Sequence, residues 1–145
     1  MNANHKDWYL IRVLQAVGSI SLLAFAAAVM PMQWIVETGQ WLGFDPFPDS
    51  PLTFYLARNL SLLYGYIGAL LLLVSWDLDR YRPLVWYIAV GTMSFGLLQV
   101  VVDSMSAMPT WWTLGESVST FLGGVLLYLL GAHKYQPDRS HAANE

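Results

Sequence analysis

The sequence predicts an all-α fold: an integral membrane four-helix bundle with a short interfacial helix between helices 1 and 2. Three observations carry this. Hydrophobic residues make up 56% of the 145 residues and charged residues only 12%, about half the share usual in soluble domains. Four apolar stretches run along the chain, Val13–Met30, Phe54–Val74, Leu84–Val102 and Trp111–Gly131. At about 1.5 Å per residue, each reaches across the roughly 30 Å hydrocarbon core of a bilayer. Only helices or closed barrels satisfy their backbone in lipid, and these runs are too continuous for barrel strands. Residues 1–145 therefore read as a single transmembrane domain. Its helices are expected at about 10–30, 53–75, 83–103 and 110–132, with a polar tail over 133–145.

The first span follows a leader with Lys6, Asp7 and Arg12. Ala26-Ala27-Ala28 has the small residues of a signal-peptide cleavage site, but the long apolar run and the acidic Asp7 favour a retained helix. Residues 31–52 form the one long connection. Gln33–Leu42 reads as a short helix in the outer interface, with Trp34 and Trp41 at headgroup level. Phe44–Pro51 reads as an extended turn, because three prolines block a helix there. The connection Ser75–Pro83 is tight and charged, and Ser104–Thr110 is tight and holds Pro109. Trp8, Tyr9, Trp76, Tyr81, Trp86, Trp111, Trp112 and Tyr135 fall near expected helix ends, as an aromatic belt on both sides.

Lys6, Arg12, Arg80, Arg82, Lys134 and Arg139 all fall on one side of this topology. The other side has Arg58, set within the second span, with Glu37, Asp45, Asp49 and Asp103. The positive-inside rule then places both termini in the cytoplasm. The expected location is the bacterial inner membrane, and the lipid bilayer is the first partner.

Several chemistries lack their residues. There is no cysteine, and His5, His133 and His141 all lie in terminal segments. Thiol redox sites, in-membrane haem ligation and metal motifs such as His-Glu-x-x-His are unsupported. No phosphate-binding loop, dinucleotide fingerprint or serine-nucleophile motif occurs. The net charge of -3 argues against a nucleic-acid partner. No catalytic residue, metal or cofactor is expected.

Small and polar residues mark packed helix faces in lipid. They form one stripe per span: Gln15, Gly18, Ser19, Leu22 and Ala26; Arg58, Ser61, Gly65, Gly68 and Ala69; Ala89, Thr92, Gly96, Gln99 and Asp103; Trp112, Glu116, Ser119, Thr120 and Gly123. The spacings Ser61–Gly65–Ala69 and Gly115–Ser119–Gly123 are candidates for close helix packing, within the monomer or along a homo-oligomer seam. Arg58, Gln99, Asp103 and Glu116 reach a similar depth near the outer leaflet. A lone charge deeper in hydrocarbon costs about 3 kcal/mol on insertion scales, so pairing is the default. Arg58 is expected to pair with Glu116, with Asp103 as second acceptor, since guanidinium carries five donors. This cluster reads either as a polar clasp fixing helix register, or as a ligand, proton or headgroup site.

Tyr55-Leu56-Ala57-Arg58-Asn59-Leu60-Ser61-Leu62-Leu63-Tyr64-Gly65-Tyr66-Ile67-Gly68, together with Asp103, Met108-Pro109 and Trp112-Thr113-Leu114-Gly115-Glu116, resembles segments of small bacterial four-helix membrane proteins of the DoxX-like group. The resemblance covers most of the chain through short motifs, and implies a role as a subunit of a quinone-linked oxidoreductase. The residues themselves point first to a non-enzymatic accessory or interaction subunit, with a protein partner or a second copy. The alternative is a small-molecule, lipid or proton binding or transport protein using the Arg58/Asp103/Glu116 site.

Overall fold

The computed structural model describes residues 3–44 and 50–131, and every regular element among them is helical. In order these are α1 (Ala3–Leu22), α2 (Ala24–Ala28), α3 (Met32–Trp41), α4 (Pro51–Trp76), α5 (Leu78–Met105), α6 (Thr110–Thr113), a π-helical turn over Leu114–Val118, and α7 (Ser119–Gly131). Four segments are long and apolar enough to cross a membrane: His5–Ala28, Pro51–Trp76, Leu78–Met105 and Thr110–Gly131. The polar tail and most of the expected Phe44–Pro51 turn lie outside the described residues.

The boundaries move for identifiable reasons. The third span was expected from 83, yet α5 begins at Leu78. Asp77 caps it by accepting the Arg80 amide at 3.3 Å, which satisfies one of the four orphan N–H groups of the first turn. Asp79 and Arg82 look like loop residues in one dimension. On a helix they are three apart and pair at 3.1 Å. Pro83 is accommodated in the second turn of α5. The first span breaks after Leu22, where Leu23 and Ala26 donate to carbonyls only three residues back, a local tightening of the helix.

Two helix ends show the same stop signal. After α3, Phe44 N–H donates to the Gly39 carbonyl and Gly43 N–H to that of Gln40. After α5, Met108 N–H donates to the Asp103 carbonyl and Ala107 N–H to that of Ser104. Both are Schellman closures, which need a residue of positive φ just past the cap. Gly43 supplies it at φ 86°, and at the second end Ala107 takes φ 51°, at the steric cost a Cβ brings to this region. Pro109 follows and starts α6.

The described chain divides into two compact units, one of residues 12–76 and the other of residues 1–11 with 77–145. In the first unit, α1 and α4 approach through glycine. A Cβ on Gly68 would lie 2.6 Å from the Leu22 amide nitrogen and 2.7 Å from the Gly18 carbonyl oxygen. The ring of Phe25 covers Gly65. In the second unit, α5 and α7 run antiparallel. A Cβ on Gly96 would lie 2.7 Å from the Phe121 nitrogen, and one on Gly124 would lie 2.7 Å from the Met93 nitrogen. Gly131 rests on Val85 and Leu10.

These contacts revise the expected packing faces. Gly65 and Gly68 are buried and Ser61 is half-buried, but Ala69 is exposed. On the last span Gly115 and Gly123 have open space where a Cβ would sit, and Ser119 is exposed. Its hydroxyl turns back to the carbonyls of Gly115 and Glu116. The π-turn explains the shift. One extra residue in a turn advances the inward face by one position, so Ser117 and Gly124 face α5 where uniform α-helix spacing selects Glu116 and Gly123.

Substitutions separate these classes. Gly68→Ala and Gly96→Ala, which drive a methyl into backbone, should each lower stability in detergent by about 1–3 kcal/mol. Gly123→Ala should cause no loss, since alanine is the better helix former by up to about 1 kcal/mol. Ala107→Gly should raise stability by about 1 kcal/mol by relieving its left-handed conformation. Thermal melting of the four variants checks all three statements.

Candidate functional site

Polar side chains within or beside the spans gather in three places. In the first unit, Arg58 stands on the eighth position of α4, about 10 Å along the helix from Pro51. Among the described residues of that unit its guanidinium makes one hydrogen bond, from Nη2 to the Met30 carbonyl at 3.3 Å. Its Nε is buried and has no hydrogen-bond partner among the described residues. Beside it opens a groove of about 490 Å³, lined by Val29, Met32, Phe54, Leu62 and other apolar residues together with Tyr55, Arg58 and Asn59. Asn59, which the sequence gives no part to play, donates to the Tyr55 carbonyl at 2.9 Å and borders this groove. Its place one residue from Arg58 and four from Tyr55 was the available signal.

In the second unit, Asp103 is buried in the last turn of α5. Its Oδ2 accepts the hydroxyl of Ser117 at 2.8 Å. Ser117 is 0% exposed and Asp103 7%. The π-turn delivers the hydroxyl, and the Schellman closure ties down the backbone carbonyl of Asp103 itself. Gln99 lies one turn deeper on the same face of α5, its Oε1 buried without a hydrogen-bond partner among the described residues. Glu116 sits half-buried in the π-turn next to Ser117. Gln99, Asp103 and Glu116 thus belong to the second unit and Arg58 to the first. The expected ion pair of Arg58 with Glu116 and Asp103 joins residues of separate units and stays a proposal. Ser117 is the residue that sequence spacing missed, because the extra residue of the π-turn leaves no mark in hydropathy.

The third place was not foreseen. Arg82 donates through Nη1 and Nη2 to Oδ1 of Asp7, both at 3.2 Å, and through Nη2 to Oδ1 of Asp79 at 3.1 Å. The Arg82 side chain is 9% exposed, Asp7 16% and Asp79 90%. The sheltered Asp7 contact therefore outweighs the solvated Asp79 contact, which water screens. It ties the start of α1 to the start of α5. In the sequence Asp7 is the one acidic residue before the first span, and Arg82 lies beside the third, which hints at the pairing without fixing it.

Among the described residues no group of three His, Asp or Glu side chains is placed to hold a metal ion. No protein-family model, curated protein or solved structure matches the chain. The DoxX-like resemblance rests on the quoted segments alone.

Removing a donor from a buried acceptor is more damaging than exchanging it. Ser117→Ala should destabilise by about 1–3 kcal/mol, the range for stranding a buried polar group, whereas Ser117→Thr should retain the bond. Arg82→Gln should cost about 3 kcal/mol by removing the guanidinium that bridges Asp7 and Asp79. Chemical denaturation in mixed micelles, read by tryptophan fluorescence, checks both.

Proposed function

We propose that this chain is a non-enzymatic integral protein of the bacterial inner membrane, a small four-helix bundle serving as an accessory or interaction subunit. It crosses the bilayer four times with both termini in the cytoplasm, and α3 lies in the outer interface. What supports this reading most directly is the use made of ionisable and polar groups. Arg82 is held between two carboxylates, and Asp103 takes a buried hydroxyl. The Asp7–Arg82 and Asp103–Ser117 bonds join one helix to another, as register-fixing contacts do. Outside them, α5 presents Leu97, Leu98, Val101 and Val102, all more than half exposed, a face suited to acyl chains or a partner helix.

A second reading has specific support. Arg58 Nε and Gln99 Oε1 are buried without hydrogen-bond partners among the described residues, and such groups carry a desolvation cost until something satisfies them. Both belong to the outer-leaflet set Arg58, Gln99, Asp103 and Glu116, so small-molecule, lipid or proton binding is the alternative role.

Fusions of a cytoplasm-active and a periplasm-active reporter to each terminus test the topology. Cytoplasmic signal from both ends is expected, and opposite compartments would contradict it. Purification in mild detergent should bring down a stoichiometric protein partner or a second copy. A bare monomer would count against the subunit role.

A further inference from the structure

The guanidinium of Arg58 poses a solvation problem within its own unit. It has five N–H donors. One meets a neutral carbonyl, and the buried Nε has no hydrogen-bond partner among the described residues. The groove beside it is mostly apolar, with Tyr55 and Asn59 as its other polar side chains. A cation at this depth of a membrane helix calls for an anion, and the groove offers room for an apolar tail next to that charge. Head and tail together describe an amphiphile with an anionic head. A phosphodiester suits the planar guanidinium fork, which recognises phosphate through paired hydrogen bonds. It also lies at the hydrocarbon boundary, within reach of a side chain that extends toward the interface.

We propose that this groove seats one anionic phospholipid, its phosphate on Arg58 and an acyl chain along Val29, Phe54 and Leu62. The lipid deepens the binding reading of the Arg58 site and rests on α4 crossing the membrane. It completes the polar satisfaction of the first unit and holds α4 against the segment around Met30. Asn59 stands beside the headgroup and adds selectivity among lipids.

The test uses the full chain in nanodiscs of equal parts phosphatidylglycerol and phosphatidylcholine, released into native mass spectrometry. Wild type should retain one phosphatidylglycerol over phosphatidylcholine by about tenfold, because both carry the phosphate but the choline cation of the second offsets the charge that the guanidinium meets. Arg58→Gln should bring the two lipids to equal retention. Val29→Trp keeps the cation but fills the groove at an exposed position, so it should fold normally and lose the bound lipid. Equal retention by wild type, as when a carboxylate of the chain itself neutralises Arg58, overturns the proposal. So does unchanged preference in both variants. Inorganic phosphate in detergent, added without lipid, should leave the melting temperature unchanged. If it reproduces the stabilisation given by phosphatidylglycerol, the ligand is a free oxyanion and the lipid assignment fails. Flotation with vesicles separates the two levels of failure. A chain that floats without lipid preference overturns the lipid site alone, and one that does not float overturns the membrane placement as well.

Discussion

A bilayer gives a polar group no water to fall back on, and this chain carries four helical segments of 22 to 28 residues that are long and apolar enough to cross one. Every ionisable side chain along them needs a partner from the chain or from the lipid. Arg82 finds one in Asp7, across 75 positions of sequence. Asp103 finds one in Ser117, across a tight turn. Arg58 finds a backbone carbonyl and a groove. The first two bonds join helices to each other, and the third leaves part of a cation's hydrogen-bonding capacity open.

Close packing is what such a solvent would ask of these helices. Lipid tails are as apolar as leucine, so helices associate through contact and hydrogen bonds more than through exclusion from solvent. Glycine at 68, 96 and 124 lets backbones approach to distances at which a Cβ would collide with main-chain atoms. The larger apolar residues turn outward, among them Leu97, Leu98, Val101 and Val102 on α5. The π-turn over Leu114–Val118 links the two themes. It places Ser117 on Asp103 and sets the phase in which Gly124 meets Met93.

Much of the helical framework was legible in the sequence because its signals are local. Apolar length marks the four spans. Pro31 and Gly43 bracket α3, and Pro109 opens the last span. The inward face of α5 followed from simple periodicity, with Ala89, Gly96 and Asp103 all buried. Legibility failed where pairing is nonlocal or the helix departs from 3.6 residues per turn. The Asp7–Arg82 bond joins two segments that hydropathy assigns to leader and loop. The start of α5 was hidden behind charges that pair only once the helix exists. The face of α7 was displaced by a single inserted residue. Ala107 in a left-handed conformation has no compositional signature, since glycine or asparagine is the usual occupant.

The central claim is that α5 turns Gly96 and Asp103 toward protein and its large apolar residues toward lipid. The chain has no cysteine, so single cysteines from 95 to 104 can carry a nitroxide label without background. Power-saturation measurements in vesicles then compare access to oxygen with access to a water-soluble nickel complex. Oxygen access should peak at 98, 101 and 102 and fall at 96 and 103, with little nickel access at 98 and 101. High nickel access throughout, or oxygen maxima at 96 and 103, would contradict the account.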